Sequence, residues 1–247
     1  MEFFLEYIRN EYVILHIHFK KVYSAAAAAG SNASNTAGKN QYYTVKGKDF
    51  TNNIKRNDFG DVYIDNIPMV NQGSKGYCVP ATVERVLRYY GITNVNMHQL
   101  ADAAKTKKGG GTYVKDAMRA INSVRKSAGL RASEMGDVKL KMVQHYIEKG
   151  VPIFWVMFTN REYENIRRKS LNDRKHASPD SWQKLIAEYK VPAGGSSHMC
   201  LIVGYNELTR EIAVSNSWGD RELVPTWVPI KVAAKVSQKS TVVLEPR

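Results

Sequence analysis

Gln72-Gly73-Ser74-Lys75-Gly76-Tyr77-Cys78-Val79-Pro80-Ala81-Thr82-Val83-Glu84-Arg85-Val86-Leu87-Arg88-Tyr89-Tyr90-Gly91 runs from a glycine-containing loop straight into a helical pattern. Apolar Val79, Val83, Val86, Leu87 and Tyr90 recur at helical spacing, and Gly91 supplies a stop. Cys78 therefore stands at a helix N-terminus, where free backbone N–H groups and the helix dipole present partial positive charge. Such a setting favours a thiolate and predicts a lowered thiol pKa. Gln72 lies six residues earlier, across the loop. Its amide and the Cys78 backbone N–H can both donate to an oxygen that becomes negative when sulfur attacks a carbonyl. Loss of one such donor typically costs about 3 kcal/mol in the barrier.

A sulfur nucleophile needs a partner that takes its proton and returns it to a leaving amine, which is work for histidine. His198 fits best: it follows the pliable Gly194-Gly195-Ser196-Ser197 loop and opens an apolar strand, Met199 to Tyr205, so it is expected at a strand edge. His16 and His18 lie in an N-terminal leader, and His98, His145 and His176 fall on helical patterns or in a charged segment. Asn216-Ser217-Trp218-Gly219 follows the next strand, Glu211 to Ser215. The Asn216 amide can accept from the His198 ring N–H and orient it, and Trp218 can shield that bond from water, strengthening it by lowering the local dielectric.

Outward from these motifs, Gln41 to Met69 is polar and aromatic, with short β-like pieces at Tyr42 to Val45 and Val62 to Ile64. Amphipathic helices are predicted over Asn96 to Ala104, Thr112 to Val124 and Val138 to Glu148, the first two flanking a Gly109 to Gly111 loop read as a cleft edge. That loop lacks the Gly-Lys-Ser or Gly-Lys-Thr of a phosphate cradle. Pro152 to Phe158 is an apolar run of strand length, Asn160 to Ser178 reads as a charged surface excursion, and Asp180 to Tyr189 as a short helix. A helical first half, about 67–150, is thus followed by a β-rich second half, about 151–247. Residues 1–40 are set apart as a leader, tag remnant or flexible segment. They hold an apolar stretch, Tyr12 to Phe19, and an alanine run, Ala25 to Ala29, but lack the basic start of a secretory signal.

The order glutamine, cysteine, histidine, asparagine, with Asn216-Ser217-Trp218-Gly219, resembles papain-like cysteine peptidases over roughly Ile67 to Val243. The stretch after Cys78 and the strand His198-Met199-Cys200-Leu201-Ile202-Val203-Gly204-Tyr205 are most similar to bacterial members of the bacteriocin-leader-peptidase-like group. The resemblance implies an α+β, two-lobed fold: a helical lobe carrying Cys78, an antiparallel β-barrel-like lobe carrying His198 and Asn216, and a cleft between them for an extended peptide. It implies Cys78, His198, Asn216 and Gln72 as catalytic residues, with Gly76, Tyr77, Gly195 and Trp218 lining the substrate site. Plant and lysosomal members carry a cysteine just before the nucleophile and an aromatic just after it; here Gly76, Tyr77, Val79 and Pro80 occupy those places.

Composition narrows the function classes. With 247 residues and 43% hydrophobic content the chain can bury a substantial core, and no run approaches the roughly 18 apolar residues of a membrane span. Two cysteines, Cys78 and Cys200, are too few for a disulfide framework or a cysteine zinc site. A cysteine alone in an apolar element is usually a small buried hydrophobe, and burial is the expectation for Cys200 on its strand. For Cys78 the three partner motifs argue otherwise. Lys plus Arg exceed Asp plus Glu by 36 to 23, giving +13. That balance fits weak association with anionic surfaces, but the basic residues are interspersed with acidic ones and no zinc-finger or RNA-recognition pattern accompanies them, so specific nucleic-acid binding is not expected. The chemistry requires neither metal nor organic cofactor. The expected reaction is hydrolysis of a peptide or protein through a Cys78 thioester, with export from a bacterial cell as the expected location. An amidase or acyltransferase using the same residues, and a catalytically silent papain-fold binding module, remain as alternatives.

Overall fold

The computed structural model describes residues 44–106, 111–219 and 224–247. Two short strands, β1 (Ile54–Arg56) and β2 (Asp61–Ile64), precede helix α1 (Cys78–Tyr89), which begins at the cysteine itself. Helices α2 (Met97–Ala103), α3 (Val114–Ala120) and α4 (Asn122–Ser127) lead to β3 (Leu130–Glu134) and α5 (Leu140–Ile147). The second half runs β4 (Ile153–Thr159), α6 (Arg161–Asn172), α7 (Pro179–Ala187), β5 (Ser196–Asn206), β6 (Glu211–Ser215), β7 (Thr226–Pro229), α8 (Ile230–Val236) and β8 (Ser237–Pro246). This is the expected papain-like α+β fold, a helical layer against a curled antiparallel sheet.

The strands join in the order β1-β2-β5-β4-β8-β3, with β6 added to β5 and β7 to β6. Strand β5 is the spine. Its first part pairs with β4 (Met157 opposite His198), its end pairs with β2 (Val62 opposite Tyr205), and β6 runs alongside it from Leu201 to Asn206. Gly204 is required where β2 closes on β5, because a Cβ there would lie 2.6 Å from the Val62 carbonyl oxygen. The apolar face of α1 (Val79, Val83, Val86, Leu87, Tyr90) is buried as its spacing predicts, against a core that includes Trp155, Leu201 and Ile202. Each such aliphatic side chain contributes on the order of 1.5–3 kcal/mol by leaving water.

Several sequence expectations are corrected. The single helix expected over Thr112 to Val124 is two, broken at buried Ile121, whose backbone (φ −91°, ψ 6°) leaves the helical region. The excursion over Asn160 to Ser178 is not simply surface: Tyr163, Ile166 and Ser170 recur on one face of α6 and are buried, and the Ser170 hydroxyl accepts from the Trp227 backbone N–H on β7 (2.7 Å). High charge on the outer face masked this amphipathic spacing. Thr44 and Val45 form no strand; Val45 is instead tied to the Ala128 carbonyl at 2.8 Å. Strands β1, β3, β7 and β8 and helix α8 gave no clear periodic signal, being short or, in β8, opening on Ser237-Gln238-Lys239-Ser240. The leader reading for residues 1–40 and most of the Gly109 to Gly111 loop lie outside the described residues.

A buried ionic cluster secures the α6–α7 segment to the sheet. Arg174, in the turn after α6, makes a bidentate pair with Asp61 of β2 (2.9 and 2.6 Å) and reaches Glu211 of β6 at 3.0 Å. The rings of Phe59 and Trp227 lie 4.2 and 4.3 Å from the guanidinium carbon. Trp182 Nε1–H of α7 donates to the other Glu211 oxygen at 2.7 Å. Removing the cation would leave two buried carboxylates uncompensated. Arg174→Met is therefore expected to lower unfolding stability by about 3–5 kcal/mol in urea titration.

Candidate active site

The loop before α1 turns on glycine. Gly73 and Gly76 have φ of +62° and +74°, a region L-residues rarely adopt, and they set the turn that delivers Tyr77 and Cys78 to the helix start. Cys78, half-buried, occupies the first helical position. The backbone N–H of Met199 on β5 acts on its sulfur, together with the N–H groups of Val79 and Cys78 itself. One turn further along α1, the Thr82 hydroxyl donates to the Met199 carbonyl at 3.3 Å. Helix α1 is thus docked on the residue adjoining His198.

His198 is the third residue of β5, not its edge, and is only 6% exposed. Its Nε2 lies 3.1 Å from Asn216 Oδ1. An amide oxygen only accepts, so Nε2 carries the proton and Nδ1 keeps the lone pair. The Trp218 ring stacks on the imidazole with centroids 4.8 Å apart and planes 29° apart, the shielding position expected of it. The guanidinium carbon of Arg167, on α6, lies 5.1 Å from the same indole ring, and Arg167 is paired with Glu164 at 2.8 Å.

Gln72 is tied to the loop that carries Asn216. Its backbone N–H donates to the Ser217 carbonyl (2.8 Å), and its Oε1 accepts from the Ser217 hydroxyl (2.7 Å). With Oε1 occupied by the Ser217 hydroxyl, Nε2–H is the end of the Gln72 amide that can donate to another group. Gly219, at the end of the same loop, approaches the Gln72 segment closely enough that a Cβ would lie 2.7 Å from Asn71 Nδ2. Among the positions expected to line the substrate site, Tyr77 is half-buried with the His98 ring edge-on at 5.8 Å, and Gly76 precedes it in the turn. Gly195 is exposed but constrained: a Cβ there would fall 2.1 Å from the Thr159 carbonyl oxygen. Trp218 is half-buried against His198.

Electrostatics differ from the sequence expectation at the sulfur. Burial pushes the Cys78 thiol pKa up, outweighing the backbone N–H groups that pull it down. The helix start alone predicts the reverse, because spacing reveals a terminus and not how deeply it is covered. Burial also depresses the His198 pKa to about 4, against the favourable Asn216 hydrogen bond and assisted by the Arg167 charge. Cys200 is fully buried and far less acidic still, again through burial. Neither cysteine is in a disulfide. Among the described residues, no group of three or more His, Cys, Asp or Glu side chains is arranged to hold a metal ion, and no helix is long and apolar enough to cross a membrane.

The sequence motifs missed Arg85, Ser217 as a partner of Gln72, and Arg167. A signal existed for the first, since Arg85 interrupts the apolar face of α1 seven residues after Cys78.

The peptidase C39-like family model matches residues 64–237, a span that includes every side chain just described. The chain belongs to that family. This C39-like protein is a cysteine peptidase, a hydrolase. Its fold is similar to that of a putative C39-like peptidase from Bacillus anthracis (TM-score 0.51, 14% identity, covering 76% of this chain and 98% of the other). It is similar also to xylellain, a cysteine protease from Xylella fastidiosa (TM-score 0.50, 10% identity, covering 87% and 95%). No curated protein matches the chain.

The imidazole's environment in this C39-like peptidase is testable. Burial is the main cause of the depression and Arg167 a lesser one, so Arg167→Met is expected to raise the His198 pKa somewhat above about 4, while leaving it below 6.5, in an NMR histidine titration. The folded protein holds this proton less tightly than the unfolded chain. Its contribution to stability is therefore complete above pH 6.5 and lost as the pH falls towards about 4.

Proposed function

We propose that the protein hydrolyses peptide bonds through a thioester on Cys78. The observation that carries this reading is the His198–Asn216 hydrogen bond (3.1 Å) beside the Met199 N–H that acts on the Cys78 sulfur. Burial favours a neutral thiol and a neutral imidazole, so proton transfer accompanies attack rather than preceding it.

As the sulfur adds to the carbonyl carbon, the thiol proton passes to His198 Nδ1 and the C–S bond forms. Gln72 Nε2–H and the Cys78 backbone N–H donate to the oxyanion. Collapse of the tetrahedral adduct breaks the C–N bond, and the imidazolium returns its proton to the leaving amine. Water, deprotonated by the same Nδ1, then attacks the thioester; the C–S bond breaks, releasing the acid and restoring the thiol. Asn216 keeps the ring in the Nε2–H tautomer throughout. The substrate chain passes Gly76 and Tyr77 on the nucleophile's side and Gly195 and Trp218 on the histidine's side. Net charge of +13 supports weak attraction to anionic surfaces.

Incubation with a denatured protein mixture, followed by mass spectrometry of the new termini, tests the reading. Cys78→Ala is expected to abolish cleavage, and Gln72→Ala to lower kcat about 100- to 1,000-fold. Cleavage undiminished in Cys78→Ala would refute the thioester, whereas no new termini with the wild type would favour a silent binding module.

A further inference from the structure

Arg85 places a full charge in the middle of a helix face that otherwise faces the core. It is 1% exposed and stands seven residues after Cys78. Seven residues of α-helix return to within about 20° of the starting direction, so the two side chains share one face about 10 Å apart along the axis. A buried guanidinium survives only where its donors meet acceptors. Here Nε–H reaches the Pro68 carbonyl (2.9 Å), Nη1 reaches the carbonyls of Ser215 (3.3 Å) and Asn216 (2.7 Å), and Nη2 reaches the Ser215 hydroxyl (2.6 Å). These acceptors belong to two separate segments. Pro68 lies in the strand-to-loop passage four residues before Gln72, and Ser215–Asn216 is the end of β6 where the His198 partner sits.

We propose that Arg85 is a positioning residue of the active site. Its planar fork holds the backbone of Asn216 and the approach to Gln72 in register with the helix that carries Cys78. The inference rests on the roles proposed above for Cys78, His198 and Asn216. A well-packed apolar side chain could fill the same volume at comparable or lower cost in stability, so the charge is explained by what it aligns. A lysine offers a single nitrogen and cannot span Pro68, Ser215 and Asn216 at once. Because Asn216 is held through its own backbone carbonyl, displacement of that loop moves the amide that orients His198, and small misplacements of this kind are costly in rate.

The test compares Arg85→Met, Arg85→Lys, Ser215→Ala, Asn216→Ala and the Arg85→Met/Asn216→Ala double variant. It uses kcat and KM on a peptide found by library profiling, the rate of Cys78 alkylation by iodoacetamide at neutral pH, and the urea midpoint. Arg85→Met is expected to lower kcat about 10- to 100-fold with KM changed less than about two-fold. Alkylation should slow by a factor similar to that in Asn216→Ala. The double variant should be no more than about two-fold slower than Asn216→Ala alone, since both act through one imidazole contact. Arg85→Lys should fail to restore kcat, and Ser215→Ala, which removes the bond to Nη2, should show a smaller loss in the same direction. Full kcat in Arg85→Met, losses that multiply in the double variant, or a lowered urea midpoint with kcat per folded molecule unchanged would overturn the proposal. If Arg85→Met does not fold, Arg85→Lys and Ser215→Ala provide the same readouts. Failure of the peptidase reading is distinguishable: turnover would survive Cys78→Ala, or no peptide would be cut by the wild type, while the Cys78 alkylation rates would still report on the clamp.

Discussion

Docking of the N-terminal turn of α1 against Met199 is the contact on which the candidate site depends. One residue of β5 meets that helix twice, its N–H acting on the Cys78 sulfur and its carbonyl accepting from Thr82 at 3.3 Å. Because β5 is paired with β4, β2 and β6, the position of His198 beside Met199 is set by the sheet, and the position of the sulfur by a helix resting on it. Neither a strand nor a helix alone can seat Cys78 against Met199, residues separated by more than a hundred positions in the chain.

Depth of burial then decides the proton positions. A helix N-terminus pulls a thiol pKa down by a modest electrostatic interaction, whereas desolvation opposes the charged form of both partners at once. In this site desolvation outweighs the rest, raising Cys78 and lowering His198. Trp218 contributes to that dryness by lying on the imidazole, and Arg167 adds a positive charge that further disfavours the imidazolium. The segment between β4 and β5, which carries Arg167 on α6, therefore bears on the protonation of His198 as well as on packing. It is secured to the sheet through Arg174, Asp61 and Glu211, a cluster well away from the sulfur in sequence.

Polar groups in the interior form ties between segments rather than isolated satisfied pairs. Ser217 joins the Asn216 loop to Gln72 through two hydrogen bonds, and Arg85 joins the same loop to α1 and to Pro68. Such ties add little to net stability once desolvation is counted. Their effect is to reduce the number of ways the loops can sit, which matters where reacting atoms must meet within a fraction of an ångström.

The sequence by itself determined the elements with strong local signals and the candidate side chains for the site. The α1 periodicity, the glycine turn before it, the β5 and β6 strands and the side chains Cys78, Gln72, His198 and Asn216 were all legible because each rests on residues close together in the chain. The short strands β1 and β7, the polar opening of β8 and the buried face of α6 were not, since their burial comes from partners far away in sequence. Only the tertiary structure decided that the thiol pKa is raised rather than lowered, that His198 is enclosed rather than at an edge, and that Arg85 and Ser217 tie the Gln72 and Asn216 loops together. The physical reason is the same in each case. Desolvation and long-range hydrogen bonds depend on what covers a residue, and the covering atoms belong to other elements of the chain.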